Sequence, residues 1–144
     1  MPFISVTRLR VRSIFYLPQF IWHALKSQRQ AERAAGFLCG RVMRDKRNAF
    51  WTLTAWKDEA AMRAYRGAGA HMKAMPKLLD WCDEASIAHW EQEGAELPSW
   101  SEAHSRMVAE GRTSKVRHPS DAQLAGKITG PKQGGTEGQT LKPV

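Results

Sequence analysis

The sequence predicts an α+β domain in which a four-stranded antiparallel sheet carries two helices on one face. Three observations predict it. The hydrophobic pattern runs strand, helix, strand, strand, helix, strand between residues 3 and 92. The two middle strands are separated only by the short polar turn "DKRN" at 45–48, so they pair as a hairpin. All six tryptophans lie between Trp22 and Trp100, which places the core inside that span.

The first strand is "FISVTRLRVR" at 3–12, rich in β-branched residues. Both of its parities start with apolar residues, so both faces are covered there. "LPQFIWHALKSQRQAERAAG" is a helix. Pro18 suits its first turn, where a missing N–H costs nothing. Phe20, Ala24 and Gln28 share one face, Ile21 and Leu25 fill the neighbouring stripe, and Gly36 marks the stop. "FLCGRVMR" at 37–44 and "AFWTLTAW" at 49–56 are the hairpin strands. Asp58 then caps a helix over "EAAMRAYR", because its carboxylate accepts free N–H groups of the first turn. "GAG" at 67–69 breaks that helix. "AHMKAMPKLLDWCDE" resumes it, with Pro76 forcing a kink or a restart. "ASIAHWEQ" at 85–92 is the fourth strand. The order is the ferredoxin-like βαββαβ arrangement. Such a sheet leaves its second face open, and an aromatic, partly apolar open face calls for a partner. A homodimer formed sheet against sheet supplies one.

A further helix follows in "LPSWSEAHSRMVAEG", with Ser99 and Glu102 as a capping box and Gly111 as the stop. Residues 1–111 therefore form the domain. Residues 112–144 are expected to be a mostly disordered basic tail, because they hold few aromatic or branched apolar residues with which to offset ordering entropy.

The chain carries a formal charge of +8 over 144 residues. Half of it sits in the tail, as six basic residues against two acids. The remainder is spread without a dense Lys/Arg run, which disfavours a nucleic-acid groove. Cys39 and Cys82 are far apart and form no CxxC pair, so neither a zinc site nor a disulfide framework is expected. The N-terminus has no signal-peptide pattern and no apolar run reaches the length of a membrane span. A cytoplasmic protein without a membrane partner is the expectation.

No motif dictates a reaction. There is no His-x-x-x-His, no GxSxG elbow and no dinucleotide fingerprint; no metal site is expected. Asp80, Asp83 and Glu84 read as solvated charges at a helix end. Of the five histidines, His23 and His104 lie in helices, His118 in the tail, and His89 on a strand beside Trp90, with one of that pair facing the helices. His71 stands apart. It follows "GAG" at the start of a helical run, where the helix dipole disfavours imidazolium and keeps a ring able to accept a proton or ligate a metal. In this architecture the gap between helices and sheet can hold a flat apolar ligand, and Trp56, Tyr65, His71 and Met75 are placed to line it.

The segment "LTAWKDEAAMRAYRGAGAHMKAM" at 53–75 resembles the strand-to-helix signature of the dimeric α+β barrel superfamily. That superfamily includes antibiotic-biosynthesis monooxygenases, haem-degrading monooxygenases and spheroidene monooxygenase. A strand ends in a tryptophan, an acidic helix start follows, then an aromatic residue, then a histidine before an amphipathic run; Trp56, Tyr65 and His71 occupy those slots. Over residues 3–100 the chain is most similar to a bacterial branch of unknown function beside the spheroidene-monooxygenase-like members. The resemblance implies a monooxygenase-like enzyme acting on a hydrophobic small molecule. His71 would be general base or haem iron ligand, Trp56, Tyr65 and Met75 pocket walls, and Arg8 or Arg10 would fix an anionic group. Haem-degrading members carry a Trp where Tyr65 stands and an Asn on the first strand, where this chain offers only Ser5 or Thr7; those departures count against haem degradation of that type. The alternative is a non-catalytic small-molecule or haem-binding dimeric protein of the same fold.

Overall fold

The computed structural model describes residues 1–131 and 136–144, with backbone only at 136–138. Strand β1 (Phe3–Val11) leads through a 3-10 turn (Ile14–Tyr16) into helix α1 (Leu17–Arg33). The hairpin β2 (Phe37–Arg44) and β3 (Ala49–Trp56) follows, then α2 (Glu59–Arg66), α3 (Gly69–Trp81) and β4 (Cys82–Glu91). After α4 (Trp100–Glu110) come β5 (Arg112–Thr113), the short α5 (Asp121–Leu124) and β6 (Thr136–Leu141).

Local chemistry fixes these boundaries. In the hairpin turn, Asp45 accepts from the Arg47 and Ala49 N–H groups at 2.8 and 3.2 Å and from Trp51 Nε1 at 3.1 Å, so one buried carboxylate closes the turn and orients a core indole. Asp58 caps α2 as expected, accepting from Ala61 N at 2.8 Å. Ser99 caps α4 through Glu102 N at 3.2 Å. Two boundaries differ from the sequence reading. Pro76 lies inside a continuous α3 without a restart; Met72, whose carbonyl would have bonded to the absent N–H, is exposed, and water can serve it. Strand β4 begins at Cys82, three residues before the expected start, because Cys82 is buried and pairs with Val11.

The predicted four strands are present in the order β4-β1-β3-β2, all antiparallel, but the sheet has six strands. The expectation of four is corrected by the segment after residue 111. Strand β5 adds to β4, and β6 adds to β2 through Gly40–Leu141 and Val42–Gln139. Unpaired edge N–H and C=O groups on β4 and β2 drive this, and Leu141 is buried at the second join. Within 112–144, expected to be mostly disordered, the described residues thus supply two strands and a helical turn; residues 132–135 lie outside the described residues.

The two sheet faces are covered differently. Ile4, Val6, Trp51, Leu53, Ala88 and Trp90 face α4, whose Ala103 and Met107 complete a cluster joined by Trp100 and Ile128. The expectation of an open face awaiting a second copy is therefore corrected: the chain covers that face itself. His104 holds the returning segment in place, bonding through Nε2 to the Ile128 carbonyl at 2.7 Å.

The other face lies under α1, α2 and α3. Helix α1 packs mainly on α3 rather than on the sheet. Contact with the sheet is made at two ends. Val11, Phe20, Trp81 and Cys82 close one end, with Phe20 and Phe50 ring centroids 4.6 Å apart. Phe3, Ala31, Phe37, Trp56 and Met62 close the other. Between these clusters the layers stand apart.

Candidate functional site

The gap between the two clusters is a cavity of about 520 Å³. Its floor is the helix-facing side of the sheet. Two cross-strand rows set its chemistry: His89–Ser5–Thr54, and Ile87–Thr7–Thr52. Mid-sheet residues under a helical layer are ordinarily sealed, yet Thr7, Thr52 and Ile87 stay partly accessible because the cavity lies over them. Its roof comes from α1, through Ala24, Ser27 and Gln28, and from α3, through His71, Met75 and Leu78.

One wall is an aromatic stack. Phe37 meets Trp56 edge-on at 5.2 Å, Trp56 stacks on Tyr65 at 5.0 Å with 30° between the planes, and Tyr65 meets His71 at 4.8 Å. Each polar tip is anchored: Trp56 Nε1 donates to Thr54 Oγ1 at 2.9 Å and the Tyr65 hydroxyl donates to the Ser27 carbonyl at 3.1 Å. Burial pushes the Tyr65 phenol well above its ordinary range, so it stays neutral. The strand-end Trp, the helix Tyr and the post-glycine His are therefore brought together, and Met75 joins the same cavity while remaining partly exposed.

His71 is held by a device the sequence reading missed. The break between α2 and α3 leaves N–H groups at the start of the second helix without intrahelical partners and carbonyls around the break with only long backbone bonds, 3.3 Å at both Tyr65 and Ala68. Gln30, reaching across from α1, serves both. Its Nε2 donates to the Tyr65 and Ala68 carbonyls at 3.0 and 2.7 Å, and its Oε1 accepts from His71 N at 2.8 Å. Gly69 makes this possible: its φ of +57° suits glycine, and a Cβ there would crowd the Gln30 amide at 3.2 Å. A Gln on a helix face gives no sequence signal of such a role.

The His71 ring contacts the Arg66 carbonyl through Nδ1 at 3.1 Å. A carbonyl can only accept, so Nδ1 carries the proton and Nε2 keeps its lone pair. Burial pushes the His71 pKa down; the bond to Arg66 opposes this, and the Arg66 charge reinforces it. His89 is similar. It faces the helices, completing the Trp90 alternative, and its ring lies 5.3 Å from that of Phe3. Its Nε2 is buried with no hydrogen-bond partner among the described residues. Burial lowers its pKa, and the charges of Arg66 and Arg112 add to that. Sequence reasoning alone sets His89 aside as a sheet histidine. The available signal is its shared parity with Ser5 and Thr54 on a face covered by helices.

Arg8 does not join the site. It alternates with Thr7 and Leu9, so it points to the opposite face, where it pairs with Glu84 at 2.6 Å and lies over Trp51 at 5.8 Å. Arg10 shares that parity and pairs with Asp83 at 2.9 Å. The expected contact of Arg8 or Arg10 with a ligand in this cavity is therefore corrected. So is the reading of Glu84 as a solvated charge, since it is 6% exposed. Among the described residues no three His, Cys, Asp or Glu side chains gather as a metal site.

His23 also lines the cavity, and burial, then the charges of Lys77 and Lys26, lower its pKa. With His71 and His89 it makes three imidazoles that bind protons less readily folded than unfolded. Between their folded values and the ordinary 6.5 the unfolded chain holds more protons, so stability rises with pH through that window. The stabilisation is complete above 6.5 and is lost as pH falls. Melting temperature measured between about pH 7.5 and pH 5 should fall on acidification. A His71→Gln, His89→Gln double variant should flatten that dependence.

No protein-family model and no curated protein sequence matches the chain. Solved structures do. The fold is similar to that of SnoaB, a cofactor-independent oxygenase from Streptomyces nogalater, with a TM-score of 0.54 at 18% identity over 68% of this chain and 98% of that one. A candidate antibiotic biosynthesis monooxygenase from Nitrosomonas europaea gives 0.57 at 14% identity, over 64% and 99%. Rv0793 from Mycobacterium tuberculosis gives 0.59 at 7%, over 65% and 97%. The α+β fold implied by the sequence resemblance, that of the antibiotic-biosynthesis monooxygenase-like proteins, is the fold of this chain. No helix among the described residues is long and apolar enough to cross a membrane.

Proposed function

We propose that the protein is a monooxygenase-like enzyme that acts on a hydrophobic small molecule held in the cavity between the sheet and α1–α3. The observation that carries this reading is a neutral imidazole with a free Nε2 in the wall of a mostly apolar cavity. His71 takes a proton from the substrate at Nε2. Its Nδ1–H stays on the Arg66 carbonyl, which fixes the tautomer through the transfer. Trp56 and Tyr65 hold a flat substrate against the ring and keep water from it. In the simplest case the substrate carbanion gives its electrons directly to dioxygen. An activated methylene group and one dioxygen then become a ketone and one water. One oxygen atom enters the carbonyl, the other leaves with both methylene hydrogens, and the sum balances with no redox cofactor. That SnoaB is a cofactor-independent oxygenase supports this form.

A haem-dependent form is the second reading, favoured by the same free Nε2, since a ligating histidine commonly donates its other N–H to a carbonyl. His71 would hold the haem iron through Nε2. Ser5 and Thr7 are the only polar side chains β1 sends into the cavity, in place of the asparagine of haem-degrading relatives. The non-catalytic alternative keeps the cavity and drops the chemistry. Dioxygen uptake and product mass are the test, with a panel of weakly acidic polycyclic substrates supplied without cofactor. Turnover is expected, and His71→Ala should lower kcat by about 10²–10⁴-fold. Turnover unchanged in that variant contradicts the role of His71. Binding without turnover supports the non-catalytic reading, and a Soret shift on hemin titration, lost in His71→Ala, supports the haem form.

A further inference from the structure

The charged side chains that line the cavity are all of one sign. Arg44, Arg66, Arg112 and Lys115 all contribute to its lining, and no Asp or Glu does. In a chain with 14 acidic residues this is a strong bias, and the acids near the sheet are engaged elsewhere: Glu84 and Asp83 pair with Arg8 and Arg10 on the other face, and Asp45 closes the hairpin turn. Among the described residues none of the four cations is paired with a carboxylate.

The bias has a location. Arg66, half-buried at the end of α2, lines the cavity together with His71 and His89, and its own carbonyl meets His71 Nδ1 at 3.1 Å; its charge acts on both rings. Arg112, on β5 beside Ile87, acts on His89 as well; the Glu59 carboxylate also reaches that ring but is paired with Arg63 at 3.0 Å. At this end the floor offers the Ser5 hydroxyl in the His89 row, and the His89 ring has no hydrogen-bond partner among the described residues at its buried Nε2. Further along, the walls are mostly apolar, with Thr7, Thr52 and Gln28 among them, Arg44 beside Phe50 and Lys115 beyond Ser114. The cavity thus has mostly apolar walls, and its His89 end is polar and carries two of the four cations, Arg66 and Arg112. Unpaired cations beside a low-dielectric wall attract an anion far more strongly than they would in water.

We propose that the cavity takes its ligand as a hydrophobic anion, an apolar body bearing one acidic group such as a carboxylate or enolate. The acidic group sits at the His89 end, held by Arg66 and Arg112. This rests on the reading of the cavity as the ligand site and adds the ligand's charge to it. A weak acid entering protonated can leave its proton on a neutral imidazole, and the cations then retain the anion. The anionic group expected from the sequence is thereby moved from Arg8 to the far side of the sheet.

Two fluorescent probes share one carbon skeleton and differ by a sulfonate: 1-anilinonaphthalene-8-sulfonate and the neutral N-phenyl-1-naphthylamine. Titration of each into the full chain at low salt tests the inference. The sulfonate is expected to bind at least about tenfold tighter. The neutral probe should displace it, and high salt should narrow the gap. Arg66→Gln and Arg112→Gln should each erode the preference, whereas Lys46→Gln, in the hairpin turn, should not. Equal affinity for the two probes overturns the anion preference and leaves the cavity as a ligand site. A preference untouched by both arginine variants, or lost equally in Lys46→Gln, also overturns it, because the sulfonate is then held by the general surface charge. Failure of both probes to bind overturns the cavity as the ligand site together with this inference.

Discussion

Replacing Glu84 with leucine is expected to destabilise the protein by about 3–5 kcal/mol, read from denaturant unfolding. Arg8 is 1% exposed, and its Nε and Nη2 already have no partner among the described residues. The carboxylate that neutralises it is Glu84, at 2.6 Å, and beyond that its charge meets only the Trp51 ring at 5.8 Å and the more distant Asp83. Burial pushes the Glu84 carboxyl up, but hydrogen bonds from Arg8 and Ser120, with the charges of Arg8 and Arg10, outweigh that and hold it below its ordinary range. The pair is self-consistent only as a pair. Removing one partner strands the other in a low-dielectric interior; removing both, as Arg8→Met with Glu84→Leu, removes the stranded charge as well. The double variant should therefore recover most of the loss. Equal costs for the single and double variants would mean that Glu84 matters for its packing or its bond to Ser120. Because Arg8 points away from the cavity, the double variant should bind ligand as the native protein does.

Filling the cavity should have the opposite balance, with little effect on stability and a complete effect on binding. Thr52 lies at the centre of the floor, beside Thr7 and Val42. It is partly accessible although three helices lie over its face. A Thr52→Trp side chain can enter about 520 Å³ of space without displacing the Val11–Phe20–Trp81 cluster or the Phe37–Trp56–Met62 cluster. It buries apolar area that the native fold leaves wet, so stability should hold or rise by up to about 2 kcal/mol. An unused packing defect would be filled at no functional cost. A ligand site traded against stability would not.

What the sequence discloses depends on the period of the signal. Strands β1, β2 and β3 and helices α1, α2 and α4 were legible because alternation, helical spacing, Asp58 and Ser99 all point the same way. The proximity of Trp56, Tyr65 and His71 followed from the same reading. Three features were not legible, each for a physical reason. Arg8 carries a charge at an apolar parity, and only the partner strand shows that Glu84 neutralises it. Gln30 caps two helix ends that are adjacent only in the folded chain. Leu141 in β6 and Ile128 before it are isolated apolar residues in a tail of low apolar content. Their burial depends on a free sheet edge and an uncovered sheet face, which no local pattern encodes. The open sheet face expected from the sequence is likewise absent among the described residues, because α4 packs on it, and a helix that follows the four-strand pattern gives no local sign of which face it will cover.

The most direct measurement is the stoichiometry of 1-anilinonaphthalene-8-sulfonate binding to the native protein and to the folded Thr52→Trp variant. One probe per native chain, and none bound to the variant at a melting temperature equal to or above the native value, is the expected result. Undiminished binding to the filled protein would place the ligand outside the cavity and contradict the account.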